Sequence, residues 1–530
     1  MKRDAKSIEH GAEARLTRGD VATAFFLFVL ALILRAAFRS HFAYHWDSAQ
    51  FALAVGEYNI RIGQPHAPGF YLYVVLGRLV NWFVGEPHAA LVWLSVIAGA
   101  WLSAVGYLLA TSMFGRRCGW STGVILLTSP LCWFHSEIAL TTIVDSALVT
   151  SFVFVCWQTI QRGATRCRTI ALAALLAAVA GVRQQSAPLL IPLWGYVFWN
   201  LEGRRARKFL WATALAVGLS LLWFVPTVTS AGGFASYVHL LRLKSQFDAP
   251  RTLWGGRGMG ALWDDVNMTV RACWAGLLAA GIISLTEFIH WVVFEKTASA
   301  NSFFRANKTQ LCVLTLWIVP MLAFGMLMYI ALPGHVLDFF PALAVLASPG
   351  LVRFAERAGS SSAVNRLRAL GSVLTFAVAV NAVVFVYSPR WATRLLAGPP
   401  LTAGEIRQHD ADLSACFQAI RNTWPSRNVV ICHRREDFYW GFRQFEYHLP
   451  EYRSVLLTAD PSLPGELATR KWIGYERQTT FVNEVPVSDG QDIVLVVPPS
   501  DSLNRYESQF DVRKATLLLD LRVRLYQLHR

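Results

Sequence analysis

The first polar stretch after an apolar run is HFAYHWDSAQFALAVGEYNIRIGQPHAPGF, His41–Phe70. It directly follows the first long apolar run of the chain, Val21–Phe38. It carries acids at Asp47 and Glu57 and closes on a Pro-His-Ala-Pro sequence. The chain around it is 54% hydrophobic and only 16% charged, whereas ordinary globular chains are roughly 45–50% apolar and about 25% charged. A loop this polar and aromatic, in so apolar a chain, indicates a functional site rather than a simple connector.

The rest of the chain up to residue 388 predicts a membrane protein. Apolar runs of roughly 17–25 residues alternate with short basic clusters, which is the pattern of helices that cross a bilayer. We expect a polytopic all-α domain over 21–388 with about 11 transmembrane helices, among them spans over 119–136 and 187–200, and a cytoplasmic tail over 1–20. Val21–Phe38 is interpreted as a retained anchor, because no small-residue cleavage site follows it. The net charge of +15 does not indicate nucleic-acid binding, since the basic residues lie mostly in short loops.

The segment Pro68–Gly85 decides the topology. It is apolar enough to span, yet Arg78 stands in its middle. If it spans, Arg116 and Arg117 fall outside. If it lies along the outer surface as an interfacial helix, these arginines and the later cluster over 162–168 fall inside, as the positive-inside rule requires. We therefore prefer a first external loop over 39–88 with juxtamembrane helices. The N-terminus is then cytoplasmic and the C-terminus lies outside. The expected location is the inner membrane of the cell envelope.

Composition changes after residue 388, and 389–530 is predicted to be a soluble extracytoplasmic α/β domain. Leu401–Trp424 is predicted to be a helix, and four β-rich runs are predicted to be strands: Asn428–Cys432, Ser454–Thr458, Thr479–Val487 and Asp492–Val497. Cys416 and Cys432 lie in this domain and can form a disulfide if it faces an oxidising compartment. The alternative is two reduced thiols.

This topology gathers ionisable and aromatic residues at the outer ends of the spans, and such residues at membrane depth tend to mark function. Asp47 is the candidate general base, which would take a proton from an acceptor hydroxyl or amine. Cations at the membrane surface can hold a lipid phosphate, and arginine does so with two donors. The candidates for a second acid, or for a ligand of a metal or of the acceptor, are Glu57, Glu137 and Asp145. The candidate phosphate ligands are Arg183, His335, Lys244 and Arg242. The other pocket candidates are Tyr44, Trp46, His66 and Gln184.

Each of these residues also has a purely structural interpretation. Asp47 can be the N-cap of a helix, because Asp-Ser before an apolar run is a start signal. Glu57 can be a solvated loop acid, and Glu137 or Asp145 can simply pair with Arg183. Arg183 can be an interfacial side chain, and His335 can be a surface histidine. Arg242 and Lys244 can lie on a solvated helix face.

The order of motifs resembles the GT-C membrane glycosyltransferases, among them the protein O-mannosyltransferases and the aminoarabinose transferases. The acid in His45-Trp46-Asp47-Ser48 matches the catalytic Asp of their first loop, although the family often has Asp-Glu there. Similar motifs are Pro65-His66-Ala67-Pro68 before a juxtamembrane helix, Gly181-Val182-Arg183, and Pro333-Gly334-His335 before Phe339-Phe340-Pro341-Ala342-Leu343; the Arg-Tyr of the family's late loop is absent. The resemblance implies a polyprenyl-phosphate sugar donor, inverting transfer and an active site at the outer face.

The sequence therefore predicts an integral-membrane glycosyltransferase that moves a hexose or pentose to a lipid, glycan or protein acceptor. The alternatives are a transporter or flippase of lipid-linked sugars, which would spread polar residues through the membrane midplane, and a non-catalytic membrane scaffold. No cofactor is assigned and the cysteines show no metal-binding spacing. Two carboxylates can nevertheless hold a divalent cation through oxygen ligands.

Overall fold

The computed structural model describes residues 16–201, 203–255, 258–294, 297–328, 332–359, 362–389, 401–434, 437–457, 481–482, 485, 487–488, 490–507 and 510–528. The helices of the membrane domain are α1 (Arg18–Ala36), α2 (Trp46–Gly56), α3 (Tyr71–Val84), α4 (Pro87–Phe114), α5 (Arg116–Thr128), α6 (Pro130–His135), α7 (Thr141–Arg162), α8 (Arg166–Val182), α9 (Ser186–Leu189), α10 (Ile191–Trp199), α11 (Arg205–Ser230), α12 (Phe234–Asp248), α13 (Met259–Phe294), α14 (Thr297–Ala306), α15 (Lys308–Leu327), α16 (Phe340–Ala358) and α17 (Ala363–Ala382). Helices α18 (Ala403–Thr423) and α19 (Phe442–His448) follow in the C-terminal domain.

Among the described residues, seven helices are long and apolar enough to cross a membrane: α1, α4, α7, α11, α13, α15 and α17 with its continuation to Tyr387. The multi-pass membrane architecture holds, but the count of eleven spans is not confirmed. One expected span, residues 119–136, is split into α5 and α6, because Pro130 disfavours helical backbone at Ser129, whose ψ is 122°. Another, residues 187–200, is divided into the short α9 and α10.

Helix α4 lies at the centre of the bundle, packed against α1, α5 and α7. Close packing depends on small residues. At Gly99 an added Cβ would lie 2.0 Å from the Oγ of Ser136. This approach holds the turn after α6 against α4.

Helix α3 has 14 residues and is about 21 Å long at 1.5 Å per residue, whereas the hydrocarbon core of a bilayer is about 30 Å thick. Its Trp82 and Phe83 are 85% and 89% exposed. Arg78, the residue that made this segment ambiguous, donates from Nε to the carbonyl of Val55 at 2.9 Å and from Nη2 to that of Ala54 at 3.1 Å. The arginine thereby satisfies carbonyls in the last turn of α2.

The C-terminal domain contains a mixed sheet that, within the described residues, has the order β3-β2-β1-β4-β6-β5. Its strands are β1 (Val429–His433), β2 (Arg453–Leu457), β3 (Phe481–Val482), β4 (Asp492–Val497), β5 (Ala515–Asp520) and β6 (Arg524–Leu528). The predicted helix and strands coincide with α18, β1, β2 and β4. Of the predicted strand Thr479–Val487, β3 is described, and 479–480, 483–484 and 486 lie outside the described residues. The β5–β6 hairpin and α19 were not predicted.

The disulfide alternative does not hold in this fold. Cys416, on α18, packs with Ile431 on one face of the sheet. Cys432, the next residue of β1, points to the opposite face and packs with Val430, because successive side chains of a strand alternate. Both thiols are buried and unbridged.

Candidate functional site

Asp47 is the second residue of α2, and the N-cap of that helix is His45. The His45 Nδ1 accepts the backbone N–H of Asp47 at 3.1 Å. The interpretation of Asp47 as an N-cap is therefore wrong, since the capping role belongs to its neighbour. The carboxylate, whose side chain is 29% exposed, is left to face a cavity.

This cavity has a volume of about 940 Å³ and lies between the membrane domain and the C-terminal domain. Its polar wall brings together residues from the first loop, the tip after α8, α12 and the segment before α16. Its apolar wall comes mainly from α15 and the residues around it. The polar lining includes Asp47, Gln50, His66, Arg183, Gln185, Lys244, Asp248, His335 and Asp338, and the apolar lining includes Trp254, Met321, Phe324, Met328, Leu332 and Phe339.

The surroundings of Asp47 keep it ionised. Burial raises the pKa of its carboxyl, but the combined effect of His66, His45, Lys244 and His335 lowers it by more. The resulting pKa lies below the ordinary value of 3.8. At neutral pH the group is a carboxylate that can accept a proton.

Arg183 caps the C-terminal end of α8 and is buried among acids. Its Nη1 lies 2.7 Å from Oδ1 of Asp338 and 3.8 Å from Oδ2 of Asp145. Ser186 donates its hydroxyl to the same Asp145 oxygen at 2.6 Å. The structural interpretation of Asp145, pairing with Arg183, is confirmed. Arg183 nevertheless lines the cavity. Its guanidinium is therefore a cation at the cavity wall, and the two carboxyl groups hold it in place.

Two more of the candidate phosphate ligands line the same wall. The Nζ of Lys244 lies 2.9 and 2.7 Å from the two carboxylate oxygens of Asp248, one turn further along α12. Burial, with Arg183 nearby, lowers the pKa of His335 to about 3, so this imidazole is neutral at physiological pH and acts as a hydrogen-bonding group rather than a cation. Arg242 is exposed on α12 and is not among the residues of the cavity wall.

Besides Arg242, five of the predicted site residues lie away from the cavity wall. Glu57 is exposed at the C-terminal end of α2, eleven residues of helix away from His45. Glu137 is buried beside Arg35 and Trp133 and does not pair with Arg183, which contacts Asp338 and Asp145 instead. Tyr44 packs on Phe134 and Tyr439, Gln184 donates to the carbonyl of Pro68 at 3.1 Å, and Asp145 lies behind Arg183. Trp46 and His66, the other two pocket candidates, do line the cavity.

Most of the cavity wall was not predicted, and four of its residues show why. Gln50 and Asp248 had a usable signal, because they stand three and four residues after Asp47 and Lys244 and so share a helix face with them. The Oε1 of Gln50 lies 2.6 Å from Nδ1 of His66. Phe438 and Tyr439 come from the C-terminal domain, and no local pattern indicated that they would reach the membrane domain.

Metal binding gains no support from the side-chain clusters. In the part of the chain that the structure describes, no three His, Cys, Asp or Glu side chains are grouped so as to hold an ion. A divalent cation held by two carboxylates stays a prediction.

Comparison with known proteins places this geometry in a structural class. No protein-family model and no curated protein sequence matches the chain. Among solved structures, ArnT from Cupriavidus metallidurans, in a crystal structure bound to undecaprenyl phosphate, is similar with a TM-score of 0.55 at 12% identity, covering 97% of this chain and 98% of that one. The chain has the GT-C fold.

A second structure of ArnT agrees with this assignment. ArnT in the apo state gives the same TM-score of 0.55 at 14% identity, over 96% of this chain and 97% of that one. The oligosaccharyltransferase of Archaeoglobus fulgidus aligns with a TM-score of 0.49 at 11% identity, over 91% and 70% of the two chains. Because the ArnT alignments cover nearly the whole chain, the likeness to ArnT extends over the C-terminal domain as well as the bundle. The resemblance inferred from the sequence motifs is confirmed at the level of the fold.

Proposed function

We propose that this protein is a membrane glycosyltransferase that moves a sugar from a polyprenyl-phosphate donor to an acceptor hydroxyl or amine. The observation that carries the proposal is the cavity in which the Asp47 carboxylate shares one wall with Lys244 and Arg183. A base and phosphate-holding cations in one cavity are what this reaction requires. ArnT, which was crystallised with undecaprenyl phosphate, has the same fold, and this likeness supports the choice of donor.

In the proposed reaction Asp47 accepts the proton of the acceptor nucleophile as that atom forms a bond to the anomeric carbon. The bond between this carbon and the phosphate oxygen breaks on the opposite side, which inverts the configuration and releases polyprenyl phosphate. Negative charge grows on the leaving phosphate. Lys244 and Arg183 stabilise that charge from fixed positions, and the neutral His335 contributes a hydrogen bond.

The two walls of the cavity suit the two parts of such a donor. The apolar wall formed by Met321, Phe324 and Met328 on and after α15 offers contact to a prenyl chain. Trp254 lies on the rim and is 71% exposed. The sugar and phosphate would then lie between Asp47 and Lys244, within reach of both the base and the cation.

The test is transfer of label from a polyprenyl-phosphate-linked sugar by the purified full chain in lipid. Asp47→Asn keeps the size of the side chain and removes the base, so transfer should fall by about 10²- to 10⁴-fold while undecaprenyl phosphate still binds. Glu57→Gln is the matched control, because it neutralises the other acid of the same loop at an exposed site, and it should retain nearly full transfer. A folded Asp47→Asn protein with undiminished transfer would refute the proposal.

A further inference from the structure

The start of α2, which carries Asp47, is held by the C-terminal domain. The carbonyl of Phe438 accepts the backbone N–H of Trp46 at 2.6 Å. The Phe438 ring stacks on the imidazole of His45, with centroids 5.3 Å apart and planes 3° apart. Since His45 in turn accepts the N–H of Asp47, the contact reaches the backbone of the proposed base in one further step.

A second contact holds the other side of the site. Arg443, on α19, is 1% exposed and donates from Nη2 to the carbonyl of Ile62 at 2.7 Å. Ile62 belongs to a tight turn that is closed by paired backbone hydrogen bonds between Asn59 and Gln64. His66, two residues after that turn, has its Nδ1 3.4 Å from Asp47 Oδ1. Arg443 therefore fixes the turn that leads to the histidine beside the base.

A third group of contacts fixes the entry of the loop. The carboxylate of Asp410, on α18, accepts the backbone N–H groups of His41 at 2.7 Å and Phe42 at 3.2 Å. The Nε2 of His448 accepts the N–H of Ala43 at 3.0 Å. Three consecutive backbone donors of the first loop are thus satisfied by side chains of the C-terminal domain rather than by secondary structure of their own.

These contacts are directed at backbone groups on both sides of Asp47, which is the arrangement expected when the position of a loop matters. A reacting group must be held within about 0.5 Å of its productive place, and loops reach that precision only with outside support. We infer that the C-terminal domain serves to position Asp47, and that Arg443 is a positioning residue for the proposed transfer. The inference rests on the proposed function, because it takes Asp47 to be the base.

The test compares Arg443→Met with Arg443→Lys in the full chain. Loss of the guanidinium lets the turn shift, and a misplacement of about 1 Å can cost about 10²-fold in rate, so kcat should fall roughly 10- to 100-fold. The KM for the donor and the affinity for undecaprenyl phosphate should stay unchanged. Arg443→Lys keeps a donor for the Ile62 carbonyl and should recover part of kcat. Arg513→Met, at a site whose side chain is 90% exposed, is the matched control and should leave kcat unchanged.

A second experiment separates positioning from general stability. In an Asp47→Asn background the residual transfer should not fall further when Arg443→Met is added, because the residue acts through Asp47. Equal losses in both backgrounds, or an unchanged kcat, would overturn the inference. If Arg443→Met fails to fold, the same comparison is made with Asp410→Ala against Asp410→Asn. Asp410 holds the other end of the loop, at His41 and Phe42.

Hydrogen exchange of residues 41–66 supplies a readout that does not depend on activity. Arg443→Met should speed exchange in this stretch, whereas Arg513→Met should leave it as in the unaltered chain. If exchange in 41–66 is unaffected by Arg443→Met, the positioning inference fails. If the unaltered chain transfers no sugar while Arg443→Met still speeds exchange, it is the proposed function that fails.

Discussion

The Nδ1 atom of His66 lies 3.4 Å from Asp47 Oδ1 and 2.6 Å from the Oε1 of Gln50. Gln50 Oε1 is an acceptor, so the shorter contact requires a proton on Nδ1, which then also points its partial positive charge at the carboxylate. Burial lowers the pKa of His66 below its ordinary value of 6.5. The histidine is therefore best described as a neutral, oriented donor that helps to keep Asp47 ionised.

This relationship predicts the effect of His66→Phe on the pH profile. The replacement keeps a ring against Phe51 and Phe70 but removes the donor, so the effect of burial on Asp47 is less opposed and the pKa of its carboxyl rises. The acid limb of kcat/KM should move upward accordingly, while the unaltered enzyme should show no limb from Asp47 between pH 5 and 8. His41→Phe, at an exposed histidine of the same loop, should leave the profile in place.

Lys244 and Arg242 give a direct test of donor-phosphate binding. Both cations stand on α12 two residues apart, but only Lys244 lines the cavity. Lys244→Ala should weaken undecaprenyl phosphate binding by roughly 10- to 100-fold, which corresponds to the loss of a charge-assisted hydrogen bond of about 1.5–3 kcal/mol. Arg242→Ala should change it less than about two-fold. Equal weakening by both, measured by titration in detergent, would mean that the phosphate binds elsewhere.

The sequence reveals which charged residues are site candidates, but not which of them face the cavity. Charged residues in an apolar chain stand out, so Asp47, Arg183 and Lys244 could be found from composition and topology. Which of two neighbouring cations faces a cavity depends on the rotation of α12 against the bundle, and no local pattern fixes that rotation. The same limit applies to Tyr44, a pocket candidate that instead packs between the two domains.

Long-range contacts were also beyond sequence patterns. The spans and the parallel strands follow from hydrophobic runs, which are local. Phe438 reaches the cavity because the C-terminal domain docks onto the first loop, and this depends on side chains such as Arg443 and Asp410 that look like ordinary surface charges in the sequence. The splitting of α5 from α6 had a local cause in Pro130, but an apolar run on both sides of it concealed the break.

Buried histidines of the C-terminal domain predict a loss of stability in mild acid. Burial lowers the pKa of His409 and of His433 to about 3, so the folded chain leaves them neutral while the unfolded chain protonates them below about pH 6.5. The unfolded state then binds more protons, and the free energy of unfolding falls by up to about 1.4 kcal/mol per pH unit for each group. His433→Phe, which keeps ring packing against Phe442 and Phe445, should reduce the drop in Tm between pH 7.5 and 5.5. An unchanged drop would contradict the assignment.

The Arg183–Asp338 pair predicts opposite changes in stability and in ligand affinity. Asp338→Asn removes the nearest carboxylate from a buried guanidinium, and breaking such a pair costs about 3–5 kcal/mol, so Tm should fall. The same change removes a negative charge from the cavity wall, so undecaprenyl phosphate should bind more tightly.

Glu287→Gln is the matched control for this pair. Glu287 is a buried acid that pairs with Arg357 at 2.6 Å, near the end of α16 that lies away from the cavity. Its replacement should lower Tm without changing the affinity, because no charge next to the ligand is altered. If Asp338→Asn lowered both Tm and affinity, the phosphate would not be held by Arg183, and Lys244 alone would have to carry that role.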